Sequence, residues 1–390
     1  MGVEVRPLGV RCNIQCQYCY QNPERDAGNE LRTYDIGRMK AAIESEGRPF
    51  SLFGGEPLLV PEADLDELFR WGLERFGRND IQTNGSLLND RHVRMFKRYR
   101  VAVGISLDGP GELNDVRWAG TLEATRDRTA RSEAAVRRLC DEGIIPGMII
   151  TLHRGNADAG RLPVLLDWVR SLAAMGIRSI RLHLLEVESA VVRRRYALTS
   201  EENLAALYGF LELAKEMPSL AFDLFGDMRR MLLGLDSQNT CVWTGCDPYF
   251  TQAVRGIDGN GQRTNCGRTN KDGVEFAKTD QPGFERYLAL YQTPQESGGC
   301  RGCRFFLMCK GQCPGTALDG DWRNRTEHCS VWMSLYEVFE REMTQLGLTP
   351  LSLHPIRAEL EAAFVRAWSS GGSPYMSRLL RFRHTATRSG

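Results

Sequence analysis

The chain has 390 residues, 25% of them charged and 42% hydrophobic, which is typical of a globular protein with more than one domain. Its formal net charge of +1 gives no whole-molecule field that would attract nucleic acid or a membrane surface. No stretch approaches the roughly 18 apolar residues that cross a bilayer, and the N-terminus lacks the pattern of a secretory signal. We therefore expect a cytoplasmic protein that binds neither nucleic acid nor membrane.

In the first half of the chain, short β-rich runs alternate with amphipathic helical runs. The predicted strands are Val3–Gly9, Pro49–Phe53, Asp80–Thr83, Val101–Leu107, Gly147–Leu152 and Ser179–Leu185. The predicted helices are Tyr34–Glu44, Glu62–Phe76, Asp90–Tyr99, Thr129–Glu142, Arg161–Met175 and Ser200–Lys215. Such alternation implies right-handed parallel βαβ units. Six of them predict an α/β fold, as an open sheet or a partial barrel, with reactive groups at the carboxyl ends of the strands.

The second half has a different pattern. From about Met217 the helical periodicity weakens, and Gly, Asn, Asp and Cys become dense up to Cys329. The stretch RGIDGNGQRTNC predicts a β-hairpin with a tight turn. A region so poor in apolar residues needs cross-links to be stable, and we expect bound metal to provide them. After Cys329 two helical runs follow, VWMSLYEVFEREMTQL and IRAELEAAFVRAW, and then a basic tail.

The twelve cysteines are the unusual feature of the composition. In a reducing compartment, a cysteine-dense protein usually binds metal or uses its thiols in catalysis. Only Cys140 stands alone, in a helical stretch, and we expect it to be a small buried hydrophobic residue.

Three cysteines, Cys12, Cys16 and Cys19, form a C-x3-C-x2-C loop directly after the first predicted strand. A cubic [4Fe–4S] cluster takes four ligands, so this loop would leave one iron free to bind another molecule. A zinc site is the alternative, but a structural zinc site needs a fourth ligand, and no histidine lies near this loop.

This loop, with Tyr18 before its last cysteine, resembles the signature of the radical S-adenosylmethionine (radical SAM) superfamily. Two further motifs are similar to those of the family, Gly54-Gly55-Glu56-Pro57 and Ser106-Leu107-Asp108-Gly109, and Gln82-Thr83-Asn84-Gly85 is a weaker match. The resemblance implies a partial (β/α)6 TIM barrel and a free iron that chelates SAM. Electron transfer into SAM then releases a 5′-deoxyadenosyl radical, which abstracts a hydrogen atom from a C–H bond. The implied cofactor-binding residues are Tyr18, Gly54, Gly55, Glu56, Gln82, Asn84 and Ser106.

The later cysteines form a second motif, Cys246-x14-Gly261-x4-Cys266 followed by Cys300-x2-Cys303-x5-Cys309-x3-Cys313 and Cys329. This array resembles the SPASM domain of peptide-modifying radical enzymes, and Cys241 completes eight thiolates. By that resemblance, the first auxiliary [4Fe–4S] cluster takes Cys241, Cys246, Cys266 and Cys313. The second takes Cys300, Cys303, Cys309 and Cys329, which makes three clusters in all. Two zinc ribbons are the alternative for eight cysteines. Fully ligated clusters transfer electrons, which favours an oxidative reaction.

The resemblance implies a maturase of ribosomally made peptides that forms a crosslink or oxidises a side chain. The alternatives are a sulfatase-type formylglycine maturase and a radical dehydrogenase of a small molecule. Formylglycine enzymes resemble one another in carrying Asp after the third ligand of the first auxiliary cluster, whereas Gly267 follows Cys266 here. Asp108, His153, His183, Glu186 and Glu188 lie at or near strand ends as candidate bases, and Asp108 and Glu186 are our choices as catalytic residues.

The expected partners are a precursor peptide and an electron donor such as flavodoxin or ferredoxin. Because the first ligand is already Cys12, we expect no N-terminal leader-binding domain and therefore a separate leader-binding protein or another surface. The basic groups Arg193–Arg195 and Arg378, Arg381 and Arg383 are either such a surface or a solvated face. We predict a barrel over residues 1–195, a helical bridge over 196–240, a SPASM domain over 241–333 and a helical segment with a basic tail over 334–390.

Overall fold

The computed structural model describes residues 2–243, 246–247, 254–270, 279 and 283–380. These residues form two compact units. The first consists of the described residues within Gly2–Asp223 and Arg255–Ala277, and the second of those within Leu224–Val254 and Lys278–Gly390. The domain boundaries from the sequence, at residues 195, 240 and 333, stay a prediction.

The first unit is built on one sheet, which has nine strands within the described residues. They are β1 (Val3–Arg6), β2 (Phe50–Leu52), β3 (Asn79–Thr83), β4 (Val101–Ser106), β5 (Gly147–Leu152), β6 (Ser179–Leu184), β7 (Ala221–Phe222), β8 (Gly256–Asp258) and β9 (Arg263–Thr264). Their order is β7-β6-β5-β4-β3-β2-β1-β8-β9, and all neighbours are parallel except β8 and β9. The first strand therefore lies between β2 and β8, with Val5 opposite Leu52 and Ile257.

Helices connect the strands of this unit. They are α1 (Asn22–Asp26), α2 (Ile36–Glu46), α3 (Glu62–Phe76), α4 (Asp90–Arg98), α5 (Leu122–Asp141), α6 (Arg154–Ala157), α7 (Leu162–Ala174), α8 (Ala190–Tyr196) and α9 (Ser200–Glu216). Several begin at a residue whose side chain accepts a hydrogen bond from the first turn. Asn89 does so for α4 and Thr199 for α9, where Glu202 returns the hydrogen bond.

The core of the first unit follows from the alternation of buried residues along the strands. Every second residue of β3 and β5 is fully buried, which places Ile81 and Ile150 inside the unit. Val5, Leu52 and Ile105 are buried on the neighbouring strands. Burial of each such side chain contributes roughly 1.5–3 kcal/mol, so this core holds the strand ends in fixed positions.

The second unit is helical in its regular part, with α10 (Asp223–Leu232) beginning at the boundary, followed by α11 (Glu285–Gln292), α12 (Phe306–Cys309), α13 (Cys329–Gln345) and α14 (Arg357–Ser369). Aromatic side chains fill its interior, among them Trp243, Tyr287, Phe305, Tyr336, Phe339, Phe364 and Trp368. Arg286 is fully buried and donates to the carbonyls of Trp322 (2.7 Å) and Asn324 (3.1 Å). This arginine thus supplies hydrogen bonds to carbonyl groups of an irregular backbone segment, which no neighbouring strand pairs with.

The predicted α/β fold is confirmed, and all six predicted strands and six predicted helices are present. The predicted hairpin is also present as β8 and β9, and both C-terminal helical runs form α13 and α14. Two boundaries differ in an informative way. Helix α5 begins at Leu122 instead of Thr129, because the Thr121 side chain caps the charged first turns by accepting from Ala124 N. Helix α10 lies where the sequence predicted weak helical periodicity.

No helix among the described residues is long and apolar enough to cross a membrane. Cys140, expected to be buried, is only partly buried in the last turn of α5. Among the basic groups, Arg193–Arg195 are exposed on α8, whereas Arg381 and Arg383 lie outside the described residues.

Candidate functional site

A cavity of about 920 Å³, part of it open to solvent, lies at the carboxyl ends of the strands in the first unit. It is lined by residues that lie on or after strands β1 to β6 and by Arg268, which follows β9. Its predicted members are Cys12, Cys16, Tyr18, Cys19, Gly54, Gly55, Gln82, Asn84, Ser106, His183 and Glu186. The structure thus brings together residues that lie up to 256 positions apart in the sequence, between Cys12 and Arg268. Glu56, Asp108, His153 and Glu188 are not among the residues that line it.

The three thiols of the loop after β1 line this cavity and are partly buried. Burial raises the pKa of Cys12 to about 11 and that of Cys16 to about 12, and it also raises the pKa of Cys19. Repulsion from the neighbouring thiolates adds to each of the first two shifts, so the three sulfur atoms interact. Such thiols are protonated on their own, and a bound metal would displace those protons. Three partly buried, mutually repelling thiolates are a suitable donor set for an iron–sulfur cluster.

The residues that follow β4 hold this loop in place. Gln15 N donates to Trp118 O (2.6 Å), and Gln17 N donates to Val116 O (2.9 Å). Within the loop, Cys19 N donates to Cys16 O (3.0 Å). The cysteine loop is therefore fixed by the backbone before any ligand binds.

Asn84, after β3, also fixes the loop. Its Nδ2 donates to Asn13 Oδ1 (2.8 Å), and Asn13 Nδ2 donates to Ser86 Oγ (2.9 Å). The same Asn84 Nδ2 lies 3.9 Å from Cys12 Sγ. Asn84 thus lines the cavity and positions a predicted cluster ligand.

The glycine pair after β2 packs directly against the cysteine loop. Gly55 N donates to Gly9 O (3.0 Å), and Glu56 N donates to Arg11 O (2.9 Å). A Cβ on Gly55 would lie 1.9 Å from Arg11 O, so no other residue fits there. Gly54 has φ of +121°, which favours glycine. The sequence motif therefore also serves close approach of two loops, besides the predicted access of backbone carbonyls to a cofactor.

The buried side chain of Glu56 connects these loops by hydrogen bonds. Its carboxylate accepts from Leu58 N (3.0 Å), Thr83 Oγ1 (2.6 Å) and Asn84 N (2.8 Å). Burial raises the pKa of Glu56 against the opposing effect of these three hydrogen bonds. With its acceptors used in this way, Glu56 links the ends of β2 and β3.

Gln82 and Ser106 form a polar pair on the floor of the cavity. Gln82 Nε2 donates to Ser106 Oγ at 2.8 Å, from the ends of the adjacent strands β3 and β4. Gly104 makes room for this arrangement, since a Cβ there would lie 2.0 Å from Gln82 Oε1. The serine hydroxyl and the glutamine oxygen thus remain available to a polar ligand.

Beside the thiols lies a buried network around Asp108. Its Oδ1 accepts from Thr151 N (2.8 Å), and its Oδ2 accepts from the hydroxyl of Tyr18 and lies 3.8 Å from Arg117. Burial opposes ionisation of Asp108, but the interactions with His153, Arg117 and Tyr18 prevail and lower its pKa. Asp108 is thus ionised and hydrogen-bonded to Tyr18, and it does not line the cavity. Arg117, which the sequence analysis did not identify, does line the cavity and donates to Tyr18 Oη (3.2 Å).

Another part of the cavity wall carries Glu186, Arg268 and His183. Arg268 forms an ion pair with Glu186, and its second terminal nitrogen lies 3.1 Å from His183 Nδ1. Burial, together with the charge of Arg268, lowers the pKa of His183 well below its usual value, so this imidazole is neutral. Glu186 is 7% exposed, and its Oε2 has no hydrogen-bond partner among the described residues. Arg268 was missed in the sequence, although its position two residues after Cys266 was a usable signal.

A second cavity, of about 330 Å³ with its opening to solvent included, lies in the second unit, and Cys300, Cys303, Cys309 and Cys329 are among its lining residues. Burial raises the pKa of all four thiols, to about 12 for Cys300 and well above its usual value for Cys309. The repulsion of Cys300 by Cys303 and Cys329 shows that the sulfur atoms interact. These four are the ligand set predicted for the second auxiliary cluster.

For the other auxiliary cluster, three predicted ligands belong to the second unit and Cys266 belongs to the first. Cys246 is buried, and Cys241, Cys266 and Cys313 are partly buried. In the part of the chain that the structure describes, no three His, Cys, Asp or Glu side chains are placed to hold a single metal ion.

Part of the first unit is similar to a known protein family. Residues 7–166 match the Radical SAM superfamily. The chain is 28% identical over 217 residues to a serine-type anaerobic sulfatase-maturating enzyme of Klebsiella aerogenes, covering 50% of each protein. Over the curated sulfatase-maturating relatives it matches, the chain spans between 30% and 51% of their length.

Two solved structures have a similar fold. The structure described as native anSMEcpe with bound AdoMet and Cp18Cys peptide superimposes with a TM-score of 0.66 at 16% identity, covering 88% of this chain and 98% of that one. Streptococcus suis SuiB bound to precursor peptide SuiA gives a TM-score of 0.50 at 14% identity, covering 84% and 76%. At these identities the likeness concerns the fold alone.

Proposed function

We propose that this chain is a radical SAM peptide maturase with a SPASM-type C-terminal region, since its residues 7–166 match the Radical SAM superfamily. Members of the superfamily use SAM and a [4Fe–4S] cluster. The proposed reaction is hydrogen abstraction from a ribosomally made precursor peptide, with an oxidised side chain or a crosslink as the product. The proposed electron donor is a flavodoxin or ferredoxin.

The observation that carries the proposal is the convergence of Cys12, Cys16 and Cys19 on one cavity at the strand ends. The same cavity is lined by Gly54, Gly55, Gln82 and Ser106, the residues that the family resemblance assigns to SAM. When bound, the cluster and SAM supply an organic radical that takes a hydrogen atom from the substrate, and the auxiliary clusters take the remaining electron. The three thiolates hold the cluster, and Ser106 and Gln82 orient the polar end of SAM.

The chain itself must accept the proton that leaves the substrate with that electron. Glu186 is the candidate, since Oε2 is buried, lacks a partner among the described residues and belongs to the cavity lining. Arg268 holds the other side of this carboxylate through the ion pair. The substrate thus loses one hydrogen atom, one electron and one proton, which is a two-electron oxidation. Asp108 is a positioning residue in this proposal, because it contacts Tyr18 and does not line the cavity.

For the auxiliary clusters we propose the ligand sets Cys241, Cys246, Cys266, Cys313 and Cys300, Cys303, Cys309, Cys329. The grouping of the last four around one cavity supports the second set. With Cys12, Cys16 and Cys19 this gives three [4Fe–4S] clusters, or about twelve irons per chain.

The test of the first cluster is anaerobic incubation of the reconstituted chain with dithionite and SAM. We expect 5′-deoxyadenosine from the wild type and none from the Cys12→Ala/Cys16→Ala/Cys19→Ala variant, which should retain about eight irons per chain. Cys140→Ala is the matched control, with unchanged iron and activity. About twelve irons in the triple variant would contradict the ligand assignment.

The role of Glu186 is tested separately. Glu186→Gln should still release 5′-deoxyadenosine but form about a hundredfold less modified peptide, because general-base catalysis contributes at least this much. Glu212→Gln, an exposed substitution on α9, is the control. Full product formation by Glu186→Gln would exclude the residue as the base.

A sulfatase-type maturase is the second candidate, favoured by the likeness to the Klebsiella aerogenes enzyme. The two functions differ in substrate. A sulfatase-derived peptide with Ser or Cys at its target position would gain an aldehyde if the second candidate is correct. A short peptide encoded beside this chain would lose hydrogen atoms if the first is correct, and mass spectrometry distinguishes the two results.

A further inference from the structure

Buried hydrogen-bond donors without a partner surround the four-cysteine cavity of the second unit. Trp332 Nε1, Tyr336 Oη and Arg325 Nε have no hydrogen-bond partner among the described residues, and all three side chains line this cavity. Tyr336 is fully buried, and Trp332 is 7% exposed. None of the residues lining the cavity is Asp or Glu.

The geometry of helix α13 explains how two of these donors reach the cavity. Cys329 is the first residue of α13, and Trp332 and Tyr336 follow three and seven residues later. In an α-helix these spacings place side chains on one face. That face therefore carries a predicted cluster ligand and both donors.

Packing fixes the position of the Tyr336 hydroxyl. The Tyr336 ring stacks on Phe305 with a centroid distance of 5.2 Å and an interplanar angle of 16°. Trp243 packs edge-on against the same ring at 6.0 Å. A ring held on two sides cannot turn its hydroxyl towards solvent, so the unpartnered donor is a permanent feature of this fold.

An unsatisfied buried donor costs roughly 1–3 kcal/mol, so a fold that retains three of them in one cavity calls for an acceptor inside it. The side-chain acceptors that line the cavity are few. The Thr326 hydroxyl is already hydrogen-bonded to Thr316 Oγ1 at 2.7 Å. Apart from the weakly accepting thioether of Met333, the sulfur atoms of the four cysteines, and whatever they ligate, are the side-chain acceptors that remain.

We propose that Trp332 and Tyr336 donate hydrogen bonds to sulfur atoms of an iron–sulfur cluster held by Cys300, Cys303, Cys309 and Cys329, and so raise its reduction potential. The inference rests on the proposed function, which supplies the cluster. Reduction adds negative charge to the sulfur atoms, so a donor stabilises the reduced form more than the oxidised form. The guanidinium of Arg325, whose charge also acts on Cys329, works in the same direction. This site is thereby suited to receive the electron that leaves the substrate.

The experiment uses the full reconstituted chain with Cys12, Cys16 and Cys19 replaced by Ala, so that only auxiliary clusters contribute. Iron is measured first. Cys303→Ala in this background should lose about four irons, and the electron paramagnetic resonance signal lost with them identifies the cluster. If Cys303→Ala retains all iron, the cluster assignment of the proposed function fails, which is distinct from failure of the present inference.

A redox titration of that signal then compares Tyr336→Phe and Trp332→Phe with their parent. Each substitution should lower the equilibrium constant for reduction about tenfold, a fall of about 59 mV for one electron. Tyr287→Phe is the matched control, because Tyr287 is also fully buried with an unpartnered hydroxyl but does not line this cavity. The control should leave the midpoint of the signal unchanged.

An unchanged midpoint in both variants at full iron content would overturn the proposal, since water would then satisfy the two donors. If Tyr336→Phe loses iron, Trp332→Phe decides the question. Loss of iron from both variants with an unchanged melting temperature would also overturn it, because a tuning donor is not a ligand.

Discussion

The carbonyl oxygen of Arg11 leaves no room for a side chain at position 55. The cysteine loop and the loop after β2 approach so closely at this point that a Cβ would meet Arg11 O at 1.9 Å and Val10 O at 2.6 Å. Both oxygens belong to backbone, which cannot rotate away as a long side chain can. The position of the three thiols therefore depends on residue 55 being glycine, which has only a hydrogen atom where other residues have a side chain.

Gly55→Ala should destabilise the chain by about 1–3 kcal/mol, because an extra methyl group in a closed contact forces the backbone to move. The displaced loop should also bind less iron at the first site. Gly147→Ala is the matched control, since its Cβ would meet nothing within 4 Å and its φ is not positive. Urea denaturation and iron analysis measure both effects, and equal stability of the two variants would contradict this account.

Sequence motifs predicted most of this cavity, but they missed two of its charged residues. The cysteines are recognisable because their spacing falls within one loop, and the same holds for the glycines in the next loop. Arg117 lies on an irregular segment outside any recognised motif, and Arg268 lies in a short 3-10 turn after Cys266, where its closeness to that cysteine was the one signal available. Asp108 shows the opposite limit: its motif was found, but only the structure places its carboxylate beneath Tyr18 and not in the cavity lining.

At the scale of elements, helix α4 begins with a titratable cap. His92 Nδ1 accepts from Asn89 N (3.3 Å), and Asn89 Oδ1 accepts from His92 N (3.0 Å). Nδ1 accepts this hydrogen bond only when it carries no proton. Burial lowers the pKa of His92, and the charge of Glu62 opposes this shift.

This cap predicts a pH dependence. Between the lowered pKa of folded His92 and about 6.5, the ordinary value, the unfolded chain binds a proton that the folded chain does not. The free energy of unfolding should therefore fall as the pH decreases below about 6.5, by at most about 1.4 kcal/mol per pH unit from this residue. His92→Gln keeps an acceptor without a titrating group, so it should lose this part of the slope. Parallel stability curves for the two proteins would contradict the prediction.

Elements were predictable where one face is regularly apolar. Helix α3, Glu62–Phe76, has the predicted bounds because Leu65, Leu68 and Phe69 form one buried stripe. Strand β7 was missed, since two residues carry no periodic signal. The same reason applies to the pairing of β8 with β1, which joins parts of the chain about 250 residues apart and has no local signature.

For the whole molecule, the two compact units should respond differently to removal of iron. The core of the first unit rests on buried strands, whereas the Cys300–Cys329 region of the second unit is rich in loops that four thiolates would cross-link. The free energy of metal binding at such a site also stabilises the folded state. Removal of iron by a chelator should therefore reduce amide hydrogen-exchange protection in residues 300–345 more than in β3 to β6. Equal loss of protection in both regions would contradict this expectation.

The position of β1 in the sheet has a consequence for synthesis of the chain. Strand β1, Val3–Arg6, has β8 as its second neighbour, and β8 begins only at Gly256, about 250 residues later in the chain. Until then one edge of β1 offers unpaired amides and carbonyls, which other chains can capture. A nascent chain stalled before this point, or a fragment that ends there, should need a chaperone to stay monomeric, although most of its sheet is already encoded.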